Sequence, residues 1–193
     1  MRKIIAALQI SLDGFIEGPQ GELDWITGWE DEFEVTPEID ACILGGGMYP
    51  GYEQYWTSII ANPDGVLELT GRPATQGERN YARFAARTPH FVVSRTLKAT
   101  QWDVAQIVGD LDEIAKLKDR PGKNMHLVGG ATLVSSMVEA GLVDELRLVV
   151  IPIILGAGKA LFKDVRHRHA LTLEAADRLK SGNVRLIYRV GPH

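Results

Sequence analysis

Met125-His126-Leu127-Val128-Gly129-Gly130-Ala131-Thr132-Leu133-Val134 joins three structural signals end to end. Residues 125–128 read as a buried strand. Gly129 and Gly130 close it, and residues 131–140 take up helical spacing as far as Gly141, a natural C-cap. Strand, glycine turn and helix in that order form the repeating unit of an α/β domain. The order also has a chemical sense. Glycine lets a backbone approach a ligand closely, and the free N–H groups at a helix start favour an anion.

The same unit recurs upstream. Residues 3–10 form an apolar run that ends at the turn-like Ser11-Leu12-Asp13-Gly14. Residues 40–45 read as a second buried strand running into Gly45-Gly46-Gly47, with a helix over 48–60 entered near Pro50. Residues 75–87 have helical spacing, 91–94 make a short strand after Pro89, and 111–118 a short amphipathic helix. Downstream, residues 146–154 read as a long β-branched strand. Residues 171–175 and 184–190 follow as a hairpin, turned at Ser181-Gly182-Asn183. Early strands alternate with helices and late strands follow one another. The expectation is a mainly parallel central sheet with an antiparallel C-terminal edge and flanking helices. Residues 17–34 are polar, with several glycines, and read as a binding loop or lid, helical in part over 25–33.

A length of 193 residues suits a single domain spanning 1–193. The chain is 45% hydrophobic and 24% charged, average for a globular protein, so a core forms without disulfides. A net charge of -4 and scattered basic residues argue against nucleic acid as a partner. The densest basic group, Lys163, Arg166, His167, Arg168 and His169, reads as a solvated turn. Cys42 lies in an apolar run and reads as a small buried hydrophobe. No signal-peptide pattern opens the chain, and no run approaches the ~20 apolar residues of a membrane span. A cytoplasmic protein is expected. The histidines lack ligand spacing, so no metal is expected, and no Gly-x-Ser-x-Gly elbow occurs.

Three strand ends carry the remaining signals: Gly45-Gly46-Gly47, Ser94-Arg95 and Gly129-Gly130. In an open α/β sheet, ligands sit outside the carboxyl ends of the strands. A nucleotide across that edge would meet glycine turns and helix starts, with Ser94 and Arg95 suited to a phosphate on a ribose. Each signal also has a plain reading, as a tight turn or a solvated arginine. No G-x-G-x-x-G fingerprint and no phosphate loop is present. Asp13 stands at the end of the first strand. It reads either as a partly buried acid of raised pKa that donates a proton, or as a turn residue capping the backbone.

Longer motifs add to this. Ser11-Leu12-Asp13-Gly14-Phe15-Ile16 matches an S-L-D-G-x-I opening, and Val92-Val93-Ser94-Arg95-Thr96-Leu97 a V-V-S-R-T-L segment. Leu127-Val128-Gly129-Gly130-Ala131, Gly141-Leu142-Val143-Asp144-Glu145-Leu146 and Pro152-Ile153-Ile154-Leu155-Gly156-Ala157-Gly158 match a long C-terminal signature. In these the chain resembles the dihydrofolate-reductase-like family, and within it the reductase domain of the bifunctional riboflavin-biosynthesis deaminase–reductase, in stand-alone bacterial form.

The resemblance implies a dihydrofolate-reductase-like fold and an NADPH site. The cofactor pyrophosphate is expected at Gly129, Gly130, Ala131 and Thr132, and against the turn Gly45, Gly46 and Gly47. The adenosine 2′-phosphate is expected at Ser94 and Arg95, and the nicotinamide against Leu8 to Ile10. The substrate is expected by the loop after Asp13. Trp25 reads either as a wall of that pocket or as a hydrophobic staple for the loop. The resemblance further implies a cis peptide between Gly129 and Gly130, and a homodimer formed through the apolar last strands, one of them lying at a sheet edge.

The chain departs from the family at one place. Where members carry L-G-R-R-T-Y-E-G, it has Leu44-Gly45-Gly46-Gly47-Met48-Tyr49-Pro50-Gly51. The two missing cations would each make charge-assisted hydrogen bonds worth ~1.5–3 kcal/mol. Arginine at both 46 and 47 is expected to strengthen cofactor binding, provided neither glycine holds a positive φ. Three functional readings stand. The first is an NADPH-dependent reductase of a small conjugated or carbonyl-bearing substrate, pyrimidine- or pterin-like, similar to 5-amino-6-(5-phosphoribosylamino)uracil reductase. The second is a nucleotide-binding or regulatory protein that has lost catalysis. The third is a dihydrofolate reductase, for which Asp24 is the one acid available to grip a pterin.

Overall fold

The computed structural model describes residues 1–26 and 28–191. In chain order the first half holds β1 (Ile4–Ser11), β2 (Phe15–Glu17), β3 (Ile39–Gly45), α1 (Tyr49–Ala61), α2 (Gln76–Ala85) and β4 (His90–Val93). Then come β5 (Ala105–Val108), α3 (Leu111–Lys118), β6 (Asn124–Gly129), α4 (Ala131–Glu139), β7 (Glu145–Ile151), β8 (Lys159–Ala160), β9 (Leu171–Arg178) and β10 (Val184–Val190). Eight strands make one sheet in the order β5-β4-β3-β6-β1-β7-β10-β9. The pairs from β5 through to β7 are parallel, and β10 runs antiparallel to both β7 and β9. This is the α/β sheet expected, with its antiparallel C-terminal edge.

β1 is apolar on both faces because it lies between β6 and β7 with helices above and below. Ile4, Ala6 and Leu8 pack on one side with Val134 and Met137 of α4. Ile5 and Ala7 pack on the other with Trp56 and Ile59 of α1 and Ala82 and Ala85 of α2. Cys42 is buried on that second side, and burial pushes its thiol up to about 12, as suits an inert core residue.

The differences from the sequence expectations are local. β5 and the small β2–β8 pair escape the periodicity, being only two to four residues long. β7 stops at Ile151 because Pro152 has no N–H to donate. Of the last strands it is β9 that lies at a sheet edge; β7 and β10 both lie inside the sheet. The described residues of 25–33 are not helical. Their backbone groups are satisfied from elsewhere. Gln9 Nε2 donates to Gly28 O at 2.9 Å, Trp29 N–H donates to Glu78 at 3.2 Å, and the Asp31 carboxylate accepts from the N–H groups of Val35 and Thr36.

Candidate functional site

The carboxyl ends of β3, β4 and β6 meet at one place. Gly46 N–H donates to Val93 O at 3.0 Å, drawing the glycine turn after β3 against the end of β4. A Cβ on Gly46 would lie 2.5 Å from both Cβ and Oγ of Ser94. A Cβ on Gly45 would lie 3.6 Å from Gly129 O and 3.8 Å from Gly130 Cα. The two glycine turns are therefore in backbone contact, with Ser94 beside them.

Gly129 and Gly130 have φ of 148° and 92°, which side chains rarely adopt. A Cβ at Gly129 would meet Leu8 Cδ2 at 3.3 Å and Met48 Sδ at 3.4 Å. The peptide between them is trans, correcting the cis expectation. The chain reverses through these two left-handed residues instead.

Helix starts divide into two kinds. α2 is closed by a Thr75–Glu78 capping box and α3 by Asp110, whose carboxylate accepts from Glu113 N–H. α1 and α4 start at this site, and no side chain caps either. In α4 the first helical bond runs from Val134 N–H to Gly130 O at 2.9 Å, so the N–H groups of Ala131, Thr132 and Leu133 precede it. Ser94 Oγ accepts from the N–H groups of Thr96 and Leu97, which leaves its own proton for an acceptor. Arg95 is exposed beside it, with no ion pair among the described residues.

A cleft of about 1000 Å³ opens from this point along the sheet. Leu8, Gln9, His126, Val128 and Gly129-Gly130 line its floor. Gly47, Met48, Tyr52, Tyr55, Trp56 and Tyr81 wall it, together with Trp29 and Phe33. Buried charges hold the walls. Glu78 accepts from Arg72 at 2.9 and 3.0 Å, from Tyr55 OH at 3.1 Å and from Thr75 and Trp29 N–H. Arg147 on β7 pairs with Glu145 and Glu38 and donates to the carbonyls of Phe33 and Glu34.

Not every expected residue belongs to this group. Leu8, Gly47, Gly129 and Gly130 line the cleft, while Gly45, Gly46, Ser94 and Ala131 support its glycine end; Arg95 and Thr132 are exposed at that end. Ile10 faces away, against the core on the α4 side. Trp25 is outside the cleft, packed with Ile26 and Ile151, with its Nε1–H donating to Glu22 O. It staples the loop, and Trp29, four residues on, supplies the wall. Asp24 is exposed and does not line the cleft.

Asp13 also needs correction. Its carboxylate accepts from Ser11 Oγ at 2.7 Å, Gly156 N–H at 2.8 Å and Leu155 N–H at 3.2 Å. The Ser11 hydrogen bond foremost, then the backbone donors, hold its pKa below the ordinary carboxylate value. It is a loop fastener, and the reading as an acid of raised pKa fails. His126 escapes the sequence reading and Gln9 is not singled out within the span Leu8 to Ile10, although each is a polar residue inside an otherwise apolar strand. That is the signal by which they stand out.

The sequence model of the RibD C-terminal domain matches residues 2–185. The chain is 36% identical over 191 residues to the uncharacterized protein YyaP of Bacillus subtilis (strain 168), covering 97% of this chain and 94% of that one. Among solved structures it is similar to Acinetobacter baumannii RibD, with a TM-score of 0.64 and 20% identity over 99% of this chain and 58% of that one. It is also similar to a dihydrofolate reductase from Enterococcus faecalis complexed with NADP(H), with a TM-score of 0.58 and 13% identity, covering 98% and 97%.

Proposed function

Because the chain belongs to the RibD C-terminal domain family, we propose that it is an NADPH-dependent reductase of a small conjugated or carbonyl-bearing molecule. One observation carries the reading. Three strand ends converge where two helices start without side-chain caps, at the mouth of a cleft large enough for a dinucleotide and a substrate. The residues fit such a cofactor. The N–H groups of Ala131 and Thr132, and the turn Gly45 to Gly47, would hold the pyrophosphate. A Cβ at Gly129 would crowd Leu8 and Met48 beside it. Ser94 and Arg95 would take the 2′-phosphate, and Leu8 would support the nicotinamide.

When bound, the cofactor supplies a hydride from its C4. The chain supplies position and dryness. Trp29, Phe33, Tyr55 and Trp56 wall the cleft against water. Asp13 fastens the turn after β1 to residues 155–156 and so fixes the strand end beside the nicotinamide.

Fluorescence titration with NADPH and NADH tests this. Arg95→Ala should weaken NADPH about tenfold and NADH little, since an exposed charge-assisted contact to a phosphate is worth roughly 1.5 kcal/mol. Equal loss for both would remove Arg95 from the 2′-phosphate. A second reading rests on Gly46 and Gly47, where the family's arginines are missing. A protein that has kept the fold and lost catalysis would bind NADPH and never oxidise it, whatever carbonyl or enone is offered.

A further inference from the structure

The cleft is chemically divided. Its glycine end carries the groups that seek anions: two uncapped helix starts, Ser94 and Arg95. The other end has the opposite character. Among the described residues that line the cleft there is no lysine or arginine, whereas Glu17, Glu30, Asp31 and Glu68 are all present. Glu17 is matched by Lys159 at 3.0 Å, and Asp31 caps the backbone of Val35 and Thr36. Glu30 and Glu68 are exposed at the rim. A phosphate ester placed here would face carboxylates, and the nearest cations, Lys159 and Arg72, are already paired with Glu17 and Glu78.

A second, independent observation lies in the floor. Gln9 Oε1 and His126 Nδ1 are buried and have no hydrogen-bond partner. Gln9 is 8% exposed and His126 4%. Each side chain already donates from its other polar atom. Gln9 Nε2 donates to Gly28 O, and His126 Nε2 donates to Ala7 O at 3.2 Å, so the free atom of each is an acceptor. Burial lowers the His126 pKa, which keeps that nitrogen bare. β1 and β6 pair Ile5 with His126, which puts Gln9 and His126 on the same sheet face. Buried acceptors without partners are rare and mark where a donor belongs.

We infer that the substrate is a flat, phosphate-free heteroaromatic ring, neutral or cationic, that presents N–H donors to Gln9 and His126. This rests on the reductase reading for the chemistry done on the ring, though not for its recognition. Trp29 and Phe33 supply a flat aromatic wall. Phe33 lies against the His126 ring, with centroids 6.4 Å apart, and Gly28 holds the Gln9 amide. Segment 28–33 is therefore what an entering donor must displace. The phosphoribosyl group carried by the substrate of the bifunctional enzyme has no counterpart to meet it here.

The test uses the whole protein without cofactor and reads tryptophan fluorescence, which reports Trp29 and Trp56 in the walls. The probes are 2,4-diaminopyrimidine, a flat weak base rich in N–H donors, and cytidine with its 5′-monophosphate, which differ only in the phosphate. Diaminopyrimidine should bind, and cytidine should displace it at least fivefold better than the monophosphate does. Gln9→Leu should weaken diaminopyrimidine about tenfold. Should that variant not fold, the parent protein labelled with 15N-histidine carries the test: the bare ring nitrogen of His126 should move on adding diaminopyrimidine. A monophosphate that competes as well as cytidine overturns the inference. So do the absence of diaminopyrimidine binding at millimolar concentration and an unmoved His126 resonance. NADPH titration separately judges the reductase reading, so the two failures are told apart.

Discussion

Replacing Gly47 with arginine puts back one of the two cations that the family carries at the start of α1. The backbone accepts it. Gly47 is exposed, its φ is not left-handed, and a Cβ there meets nothing within 4 Å. An arginine from that point reaches a phosphate held at either helix start. At a separation of about 5 Å and an effective dielectric near 40, one unit charge gains about 1.7 kcal/mol. Ordering the side chain costs up to about 1 kcal/mol of that. The net gain is near 1 kcal/mol, or about fivefold in NADPH affinity. It should be largest near 20 mM salt and mostly gone near 1 M, where the screening length falls to ~3 Å. Fluorescence titration at both salts measures it, with a melting curve as the folding control. Gly46→Arg is the contrasting case. Its Cβ lands 2.5 Å from Ser94 Cβ and Oγ, so Ser94 must shift and its bonds to Thr96 and Leu97 suffer. Overpacking of that kind costs about 1–3 kcal/mol, or roughly 3–10 °C of melting temperature at this size. The expected double arginine therefore reduces to the single change at 47. A stable Gly47→Arg with no gain at low salt would mean that this turn does not face the cofactor.

Other outcomes follow from the buried charges and the sheet edge. Burial pushes the Glu78 carboxyl up, but Arg72 and the Thr75 and Trp29 N–H groups outweigh it and hold the pKa at about 2; stability from this group is complete above pH 4.5 and is lost as pH falls toward 2. Glu78→Ala should cost about 1–3 kcal/mol by removing the acceptor shared by Arg72, Tyr55 and the Thr75 and Trp29 N–H groups, and should loosen Trp29 in the cleft wall, read by its fluorescence. Burial depresses His90 from 6.5 to about 4, so denaturant midpoints should fall between pH 6.5 and 4 by up to about 3 kcal/mol. His90→Phe should flatten that slope, and an unchanged slope would locate the acid sensitivity elsewhere. β9 exposes Leu171 and Leu173 on an unpaired edge strand, so light scattering at micromolar concentration should give a dimer mass that Leu173→Glu lowers to the monomer.

The parts of this molecule legible in the sequence are those whose cause is local. β1 and β6 declare themselves by unbroken apolar runs, and the turns after β3 and β6 by glycine followed by helical spacing. The parts left open depend on partners far along the chain. Trp25 is a staple because Ile151 lies beneath it, and Asp13 is a fastener because Gly156 offers its N–H. No window around residue 13 or 25 contains either fact. Gln9 and His126 are each visible as a polar residue in an apolar strand, but only the β1–β6 pairing puts them on one face.

The triple glycine shows the same division inside three residues. Position 46 lies against Ser94, so any side chain there must displace it. Position 45 packs against Gly129 and Gly130. Position 47 faces open space in an ordinary backbone conformation. Packing thus restricts two of the glycines and leaves the third free. On the proposed cofactor reading, the missing cation at 47 is a difference in the chemistry of the phosphate end, and not a steric by-product of the fold. On that reading the site would rely on backbone N–H groups, on Ser94 and on Arg95 for its anions, and Arg95 is where its salt dependence would come from.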